Sequence, residues 1–358
     1  MERHRQMSVA CVALLAVSMA AGAVGVAAVA AQSSASRVPV QPRVVSEPVR
    51  HDTDDPAIWV DPADPARTLI IGTDKDIDGA LFVFGLDGKV QQERVVRGLL
   101  RPNNVDIARG VMLGGKPVDV AIVAERFANR LRVYALPDMQ PLDGGGIPVF
   151  EGERARDVMG VAAYTRASDG ATFAIVSRSD RFAPRDGYLH QYRLIDDGTG
   201  TLRGVFSRAF GQWSGRKEIE ALSVDAVAGH VFASDETFGI RQYLADPSAD
   251  DADDEVAQFG LTGFARDHEG SAVMRRPGKP SLLFVSDQQA GALRVFSLEA
   301  TPRLIGRIRY TALETDGIDL TPQPLPGFPG GLLVAMSTDR TFHYYDLGEL
   351  LAAMVPAE

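Results

Sequence analysis

The segment ALFVFGLDG, residues 80–88, is an apolar run that ends in an aromatic residue, Phe84, with a leucine two positions later. Five more segments of the 358-residue chain end in the same way, usually with that leucine. They are LRVYALPD (131–138), LHQYRLID (189–196), IRQYLADP (240–247), LRVFSLEA (293–300) and FHYYDLGE (342–349). Their aromatic residues are 50, 58, 51, 53 and 49 positions apart. A period of about 40 to 50 residues with several strands per unit is typical of a β-propeller.

We therefore predict an all-β fold, a six-bladed β-propeller of four-stranded antiparallel blades. A single domain over residues 47–352 would hold all six blades, with one short helical piece at 347–354. The fold bears on function because equivalent loops of all blades meet around one end of a central channel. Residues that are distant in sequence can then form one site.

The first 31 residues have the pattern of a signal peptide. Two arginines precede an apolar run over residues 9–30, which ends in Ala28-Val29-Ala30. An uncleaved membrane anchor is the alternative, because the run is nearly long enough to span a bilayer. Residues 32–46 are polar, and we predict that they form a flexible lead-in, a segment between the signal peptide and the folded domain. We expect the mature protein to be secreted or periplasmic.

Composition excludes several function classes. Cys11 is the only cysteine and lies in the predicted signal peptide, so the mature protein would lack thiol nucleophiles and disulfides. The net charge is −10 without a basic run, which argues against nucleic acid or anionic lipid as a partner. We expect a monomer that acts on a small molecule. The chain has no G-x-S-x-G elbow and no H-E-x-x-H helix.

Acidic residues cluster where strands are predicted to begin or end. Three carboxylates precede a strand in the segment 51–62, and the pattern returns in later blades. The further clusters are Asn103-Asn104-Val105-Asp106, Glu218-Ile219-Glu220, Asp235-Glu236, Asp267-His268-Glu269 and Glu314-Thr315-Asp316-Gly317-Ile318-Asp319. Taken alone, each is as well explained by a solvated turn. Together they would ring one face of the disc, and calcium prefers such oxygen ligands.

Basic residues occupy the loop before the aromatic strand in three successive blades. Lys75, Arg126, Arg178 and Arg181 lie there. A guanidinium fork matches phosphate oxygens, and a lysine offers a point charge. Salt bridges to neighbouring carboxylates are the alternative for each of them.

These segments together resemble the β-propeller phytases, the calcium-dependent alkaline phytase family. The match runs from about His51 to Ser337 and is strongest at Asp52-Thr-Asp-Asp-Pro-Ala-Ile-Trp-Val-Asp-Pro62. The remaining motifs follow in family order, from Asn103-Asn-Val-Asp-Ile107 to Asp316-Gly-Ile-Asp319. The resemblance implies a phytase, a phosphoric monoester hydrolase of the 3-phytase type, with several bound calcium ions.

The resemblance also assigns roles to residues. It implies that the active-site carboxylates are Glu220, Glu236, Asp267, Glu269 and Asp319. It implies that Lys75, Arg126 and Arg178 contact phosphate. It implies metal binding by Asp55, Pro56, Val105, Asp106, Glu220, Glu236, Glu269, Asp316 and Asp319, with Asp55 and the carbonyls of Pro56 and Val105 around a structural calcium.

The chain departs from the family pattern at three places. Met159 stands where the family often has a tyrosine, Ser179 lies near a family lysine that Arg178 or Arg181 would replace, and the last-blade loop after Met336 is short. Two alternatives to the phosphatase remain open. One is a lactonase-type propeller with a single central cation, and the other is a secreted binding propeller, for which Trp213 is the candidate loop aromatic.

Overall fold

The computed structural model describes residues 38–357, and within them the chain forms six antiparallel sheets arranged as the blades of a propeller. The predicted fold class is confirmed. The predicted signal peptide, residues 1–31, lies outside the described residues. No helix within residues 38–357 is long and apolar enough to cross a membrane.

Each blade is built from strands that are consecutive in sequence, except where the chain ends join. Strand β1 is Val44–Val45. Blade 1 contains β2 Thr53–Trp59, β3 Leu69–Asp74, β4 Gly79–Phe84 and β5 Val96–Leu99. Blade 2 contains β6 Pro102–Leu113, β7 Lys116–Glu125, β8 Arg130–Ala135 and β9 Ile147–Pro148. Blade 3 contains β10 Val158–Thr165, β11 Thr172–Arg178, β12 Asp186–Asp196 and β13 Leu202–Gln212.

The second half of the chain repeats this order. Blade 4 contains β14 Ile219–Asp225, β15 His230–Asp235, β16 Gly239–Leu244 and β17 Glu255–Phe259. Blade 5 contains β18 His268–Met274, β19 Leu282–Asp287, β20 Ala292–Ser297, β21 Arg303–Arg309 and the final strand β25 Val355–Pro356. Blade 6 contains β22 Ile318–Thr321, β23 Leu332–Ser337 and β24 Thr341–Asp346 with β1 at its edge. Helix α1 is Leu347–Ala352, and 3₁₀ turns lie at Pro65–Arg67, Gln92–Arg94, Arg126–Ala128 and Gln288–Ala290.

Both chain ends extend the propeller beyond the predicted domain limits of 47 and 352. Val44 and Val45 of β1 pair with Tyr344 and His343 of β24, so part of the predicted flexible lead-in is a strand of blade 6. At the other end, β25 pairs with β21. The N-terminal strand closes the ring by joining the last blade, which a polar composition alone did not indicate.

The hydrophobic core is divided into six clusters, each between two neighbouring blades. The six aromatic residues of the repeated pattern are all buried, and each packs against the preceding blade. Three of the tyrosines also accept a backbone N–H through their hydroxyl. Tyr192 accepts from Phe150, Tyr243 from Gln212 and Tyr345 from Ala312, all at 2.8–2.9 Å. The repeated aromatic residue is thus part of the contact between every pair of neighbouring blades.

The first strand of five blades carries a β-bulge at the same place, near the same end of the channel. The ladder register shifts between the first and the fourth residue of β2, β6, β10, β14 and β18. The residue pairs inside these shifts are Asp54-Asp55, Asn103-Asn104, Met159-Gly160, Glu220-Ala221 and Glu269-Gly270. A bulge bends its strand and redirects side chains, and bulges are common next to active sites. In blades 1, 2, 4 and 5 they bring polar residues to one end of the channel, whereas the blade 3 bulge holds Met159-Gly160.

Candidate active site

One end of the channel holds a group of charged residues that we call the mouth cluster. Its members come from loops and strand ends of blades 1, 4, 5 and 6. They are Asp54, Lys75, Lys217, Glu218, Glu220, Glu236, Asp267, Glu269 and Asp316. Five of the residues predicted from sequence, Glu220, Glu236, Asp267, Glu269 and Asp316, are therefore brought together, and so is Lys75.

Lys75 connects the first and last blades across this mouth. Its ammonium group forms an ion pair with Asp54 and lies 3.1 Å from Asp316 Oδ2. Asp54 is fully buried and also accepts a hydrogen bond from Asn103 Nδ2 at 3.1 Å. Burial opposes the charge of Lys75, but Asp54, Asp316 and Glu220 together raise its pKa above the usual value. The lysine therefore stays charged among these acids.

Lys217 has the same role on the opposite side of the mouth. It forms an ion pair with Glu236, and its Nζ lies 3.2 Å from Glu269 Oε1 and 3.4 Å from Asp267 Oδ2. The three carboxylates are buried, whereas the lysine side chain is 40% exposed. One partly exposed ammonium group thus occupies the space between three buried acids.

Burial raises the pKa of several mouth carboxylates. It raises the pKa of Glu236 to about 8, although Lys217 acts in the opposite direction. The pKa of Glu220 is raised first by burial and then by repulsion from Asp54, Glu269 and Asp316. The pKa of Glu269 is raised by burial and by Glu236. Lys75, Lys217 and Arg266, which lies 3.2 Å from Asp267, are too few to balance the seven acids of the cluster, so the mouth is short of positive charge.

The donor set fits metal ions. The carboxylates of Glu218, Glu220 and Glu236 offer oxygen atoms within 4.8 Å of one another, and so do those of Glu236, Asp267 and Glu269. Glu236 Oε1 and Asp267 Oδ1 are buried without a hydrogen-bond partner among the described residues. Buried acceptors without donors are costly unless a cation or water satisfies them. All-oxygen sets of this kind suit hard divalent cations.

A second acidic group, the channel cluster, lies deeper in the propeller. Asp55, Asp106 and Asp319 line a central cavity of 210 Å³, together with Pro56 and Val105. Asp55 Oδ2 accepts a hydrogen bond from the Val105 N–H at 3.0 Å, and Asp319 Oδ2 accepts one from the Ile58 N–H at 2.7 Å.

Burial dominates the electrostatics of the channel cluster as well. It raises the pKa of Asp106 to about 6 and, with repulsion from Asp106, that of Asp319 to about 7. It also raises the pKa of Asp55, despite the Val105 N–H. The residues predicted for a structural metal thus share one cavity. Asp319, which the sequence also placed among the catalytic carboxylates, lies with them and not with the mouth cluster.

Arg126 reaches the mouth through a serine. Its Nη2 donates to Ser179 Oγ at 3.0 Å, and Ser179 in turn donates to Glu218. Its Nη1 lies 3.2 Å from the sulfur of Met159, and its Nε is buried without a partner among residues 38–357. No described carboxylate forms an ion pair with Arg126, so its charge remains available to an anion.

The structure does not bring Arg178 to the mouth cluster, which corrects its predicted role. The side chain is fully buried and stacks on Phe150, with Cζ 4.0 Å from the ring centroid. It donates to the carbonyls of Tyr188 (3.1 Å) and Gly187 (3.0 Å) and forms an ion pair with Glu153. These contacts satisfy the guanidinium inside blade 3, so Arg178 serves the packing of that blade.

Three members of the mouth cluster, Asp54, Lys217 and Glu218, were not predicted as site residues. Asp54 lies in the acidic segment of blade 1, beside the predicted Asp55. Lys217 directly precedes Glu218, and its backbone is held by Trp213, whose Nε1 donates to the Lys217 carbonyl at 3.1 Å. Trp213 is itself buried, so it is not the exposed loop aromatic that a binding propeller would need.

Comparisons with known proteins agree with this geometry. A model of the Phytase family matches residues 5–341. The chain belongs to the phytase family. It is 27% identical over 301 residues to the 3-phytase of Bacillus subtilis (strain 168), a match that covers 80% of this chain and 75% of that protein.

Family membership confirms the resemblance inferred from the motifs and the prediction of a phytase enzyme with a small-molecule substrate. It favours the phosphatase over both the lactonase-type and the binding propeller. The acidic clusters are suited to metal ions, as metal-dependent catalysis requires.

Proposed function

We propose that this protein is a secreted, calcium-dependent phosphomonoesterase that hydrolyses phytate, myo-inositol hexakisphosphate. The observation that carries the proposal is the mouth cluster, in which buried carboxylates of three blades lie beside Lys75 and near Arg126. Family membership and the similarity to a 3-phytase support the same reaction. By analogy with that relative, we propose the 3-phosphate as the first to be released.

Two sets of residues would hold calcium at the mouth. They are Glu218, Glu220 and Glu236 on one side, and Glu236, Asp267 and Glu269 on the other. When bound, calcium would offset the charge of these acids and lower the pKa of a neighbouring water. Asp55, Asp106 and Asp319, with Pro56 and Val105, would hold a further ion that stabilises the channel.

Lys75 and Arg126 would bind the phosphate oxygens. Lys75 comes from blade 1 and Arg126 from blade 2, whereas most of the acids of the mouth cluster come from blades 4 and 5. Lys75 is positioned by Asp54 and Asp316, and Arg126 by Ser179. Because their positions are fixed before substrate arrives, they can offset the charge of the equatorial oxygens without much rearrangement.

Glu220 is our choice for the carboxylate that orients the attacking water and accepts its proton. It is buried beside Glu218 and Glu236, so a water near a bound ion would lie within reach of its carboxylate. The water would then attack phosphorus in line with the departing inositol oxygen. A ring that carries neighbouring phosphates would contact both the acidic and the basic side, which would favour phytate over simple monoesters.

The test is phosphate release from phytate by the purified protein, with calcium and with excess chelator. We expect release only with calcium. Glu220→Gln should lower turnover by at least about a hundredfold, in line with the loss of a catalytic electrostatic group, while circular dichroism stays unchanged. The control is Glu151→Gln, which removes an exposed carboxylate outside the cluster. Full activity in chelator, or equal activity of both variants, would refute the mechanism.

Export is the second part of the proposal. The basic start, the apolar run and the Ala28-Val29-Ala30 ending support removal of residues 1–31. N-terminal sequencing of protein from periplasmic and culture-fluid fractions should begin near residue 32. A membrane-bound product that retains residues 1–31 would favour the anchor instead.

A further inference from the structure

A second cavity lies between blades 4 and 5 at the face opposite the mouth cluster. Its volume is 380 Å³, which is within the usual size range of small-molecule sites. His230, which lines it, is the first residue of β15, and Asp235 at the other end of that strand directly precedes Glu236. The rise of five residues along a strand separates the cavity from the mouth by roughly 17 Å.

The rim of this cavity carries excess positive charge. Arg275, Arg276 and Lys279 of the β18–β19 loop line it. Arg276 Nε donates to the Pro280 carbonyl at 2.8 Å, which holds the loop closed. Among residues 38–357, neither Arg275 nor Lys279 forms an ion pair with a carboxylate. Unpaired cations on one loop of a chain with a net charge of −10 favour an anionic ligand.

The two carboxylates in the lining are already bound by other groups. Asp225 accepts hydrogen bonds from Ser281 Oγ at 2.6 Å and from the Ala228 N–H at 3.1 Å. Glu299 forms an ion pair with Arg303 at 3.1 Å and is also attracted by Arg276. Three cations of the lining, Arg275, Arg276 and Lys279, thus face two carboxylates, which leaves an excess of one positive charge.

The floor of the cavity offers polar groups that lack partners. Gln242 is only 6% exposed, and its Oε1 has no hydrogen-bond partner among the described residues. Unsatisfied polar atoms at such depth are rare in folded proteins and call for a ligand or water. His230 is half-buried, and burial lowers its pKa, so the ring is neutral near pH 7. Phe232 adds an apolar wall.

We propose that this cavity binds a sugar-sized polyol that carries one anionic group. Hydroxyl groups would pair with Gln242 Oε1 and His230, a ring face would pack on Phe232, and the anion would contact Arg275 and Lys279. A phosphate or sulfate ester and a sugar carboxylate share this chemistry. Binding there would not depend on the hydrolytic site, so the failure of one proposal leaves the other intact.

The test is isothermal titration calorimetry of the calcium-loaded protein with D-glucose 6-sulfate, D-glucuronate and neutral D-glucose. We expect at least one charged sugar to bind and glucose to bind much more weakly. Arg275→Ala/Lys279→Ala should weaken binding about tenfold or more, as expected for the loss of charge-assisted contacts. Gln242→Leu should also weaken it. The control, Arg307→Ala, removes an exposed arginine of the same blade outside the cavity.

The two charged sugars distinguish the sources of the ligand, since sulfate stands for an ester such as an inositol phosphate and glucuronate for an acidic sugar. Binding of either one that is lost in the double variant and kept in Arg307→Ala supports the site. Phosphate release from phytate should be unchanged in the double variant. No binding by either acid, equal binding of glucose, or equal losses in the control variant would overturn the proposal.

Discussion

Lys217 supplies positive charge that partly balances the buried carboxylates of the mouth cluster. Its ammonium group contacts Glu236, Asp267 and Glu269, the same three acids that together form one candidate metal site. A lysine on an exposed stem can leave such a position, whereas the buried acids cannot. We infer that Lys217 balances the acids in the metal-free protein and competes with the ion for them.

Replacing this lysine should therefore make calcium bind more tightly. In Lys217→Met, the calcium concentration that gives half of the maximal thermal stabilisation should fall about tenfold, since a nearby like charge is removed. Without calcium, the variant should be less stable than the wild type, because Glu236 and Glu269 lose the counter-charge of Lys217, while Asp267 keeps its ion pair with Arg266. Calorimetry at several calcium concentrations measures both effects.

The matched control is Lys116→Met, which removes an exposed lysine at the start of β7, outside the mouth cluster. This variant should have the same half-saturating calcium concentration and the same stability without calcium as the wild type. A half-saturating calcium concentration that is unchanged or higher in Lys217→Met would show that the lysine does not compete with the ion.

Arg126 and Arg178 look equivalent in the sequence but differ in the structure. Arg126→Ala should raise KM for phytate about tenfold through the loss of a charge-assisted contact, with little change in stability. Arg178→Ala should lower the free energy of unfolding by roughly 3 kcal/mol or more, because it leaves Glu153 and buried carbonyls without their partner. Kinetics and denaturant unfolding of both variants separate the roles. The reverse pattern would restore Arg178 as a phosphate ligand.

These residues also mark the limit of what the sequence could predict at this scale. The acids of the mouth were identified because carboxylates recur at matching blade positions. The direction of a long basic side chain has no such periodic signal. Arg178 turns inwards because Phe150 and the carbonyls of Gly187 and Tyr188 surround it, and Lys217 reaches the acids because Trp213 holds its backbone. Those neighbours meet only in the folded chain.

At the scale of the strand, the repeated bulge is what places acids at the mouth. In β18 the bulge contains Glu269-Gly270, and the Gly270 N–H donates to the carbonyl of Asp316 in blade 6. A Cβ at Gly270 would lie 2.6 Å from the Ile318 backbone nitrogen, closer than real Cβ atoms approach. The glycine therefore lets the innermost strands of two blades come close enough to bring Glu269 and Asp316 to one mouth.

Gly270→Ala should separate these two strands. We expect a loss of roughly 2 kcal/mol or more in the free energy of unfolding, since backbone must move to relieve the overlap. Activity should fall with it, because Glu269 and Asp316 move apart. Chemical denaturation and phosphate release from phytate measure the two effects.

The neighbouring blade offers a reciprocal control. Ala221 occupies the corresponding place in the β14 bulge and is buried with its Cβ in place. Ala221→Gly removes a Cβ where Gly270→Ala adds one. It should lower the free energy of unfolding by only about 1 kcal/mol, the usual effect of a glycine within a strand. Equal losses in the two variants would mean that close approach of strands is not the function of Gly270.

The repeated order of the strands was the feature of this fold that the sequence predicted best. Each of the six aromatic residues of the repeat packs in one contact between neighbouring blades, so their number predicted the number of blades. The bulges were not visible, because an extra residue changes the pairing register but hardly alters the composition of a strand. The joining strand β1 was missed because two valines in a polar segment give no pattern before Tyr344 and His343 supply the partner edge.

At the scale of the whole molecule, the buried acidic side chains determine how the stability of the protein depends on pH. Burial raises the pKa of Glu236 to about 8, of Asp319 to about 7, and of Asp106 and Asp316 to about 6. In the metal-free protein these groups hold protons that the unfolded chain would release. Their contribution to stability is therefore complete below about pH 4 and is lost as the pH rises through about 6 to 8.

Buried histidines affect stability at lower pH than the high-pKa acids do. The effect of the acids is therefore best measured in the alkaline range. Burial lowers the pKa of His190 to about 4, so its contribution is present above about pH 6.5, the unfolded value, and is lost towards acid. Between about pH 7 and 9, unperturbed carboxylates are already ionised and histidines are neutral in both states. The high-pKa acids, Glu236 and Asp319 above all, dominate any change in that range.

We expect the melting temperature in excess chelator to fall between pH 7 and pH 9, with most of the fall complete by about pH 8. With calcium the trend should disappear or reverse, because the ligands must be deprotonated and the ion binds more tightly as they lose protons. Activity should follow calcium occupancy, and so hold at neutral to alkaline pH and fade in acid. Scanning calorimetry with chelator and with calcium measures the effect, and Glu236→Gln should flatten the chelator curve. A chelated protein whose stability is constant or rises over this range would mean that the buried acids are balanced without a metal.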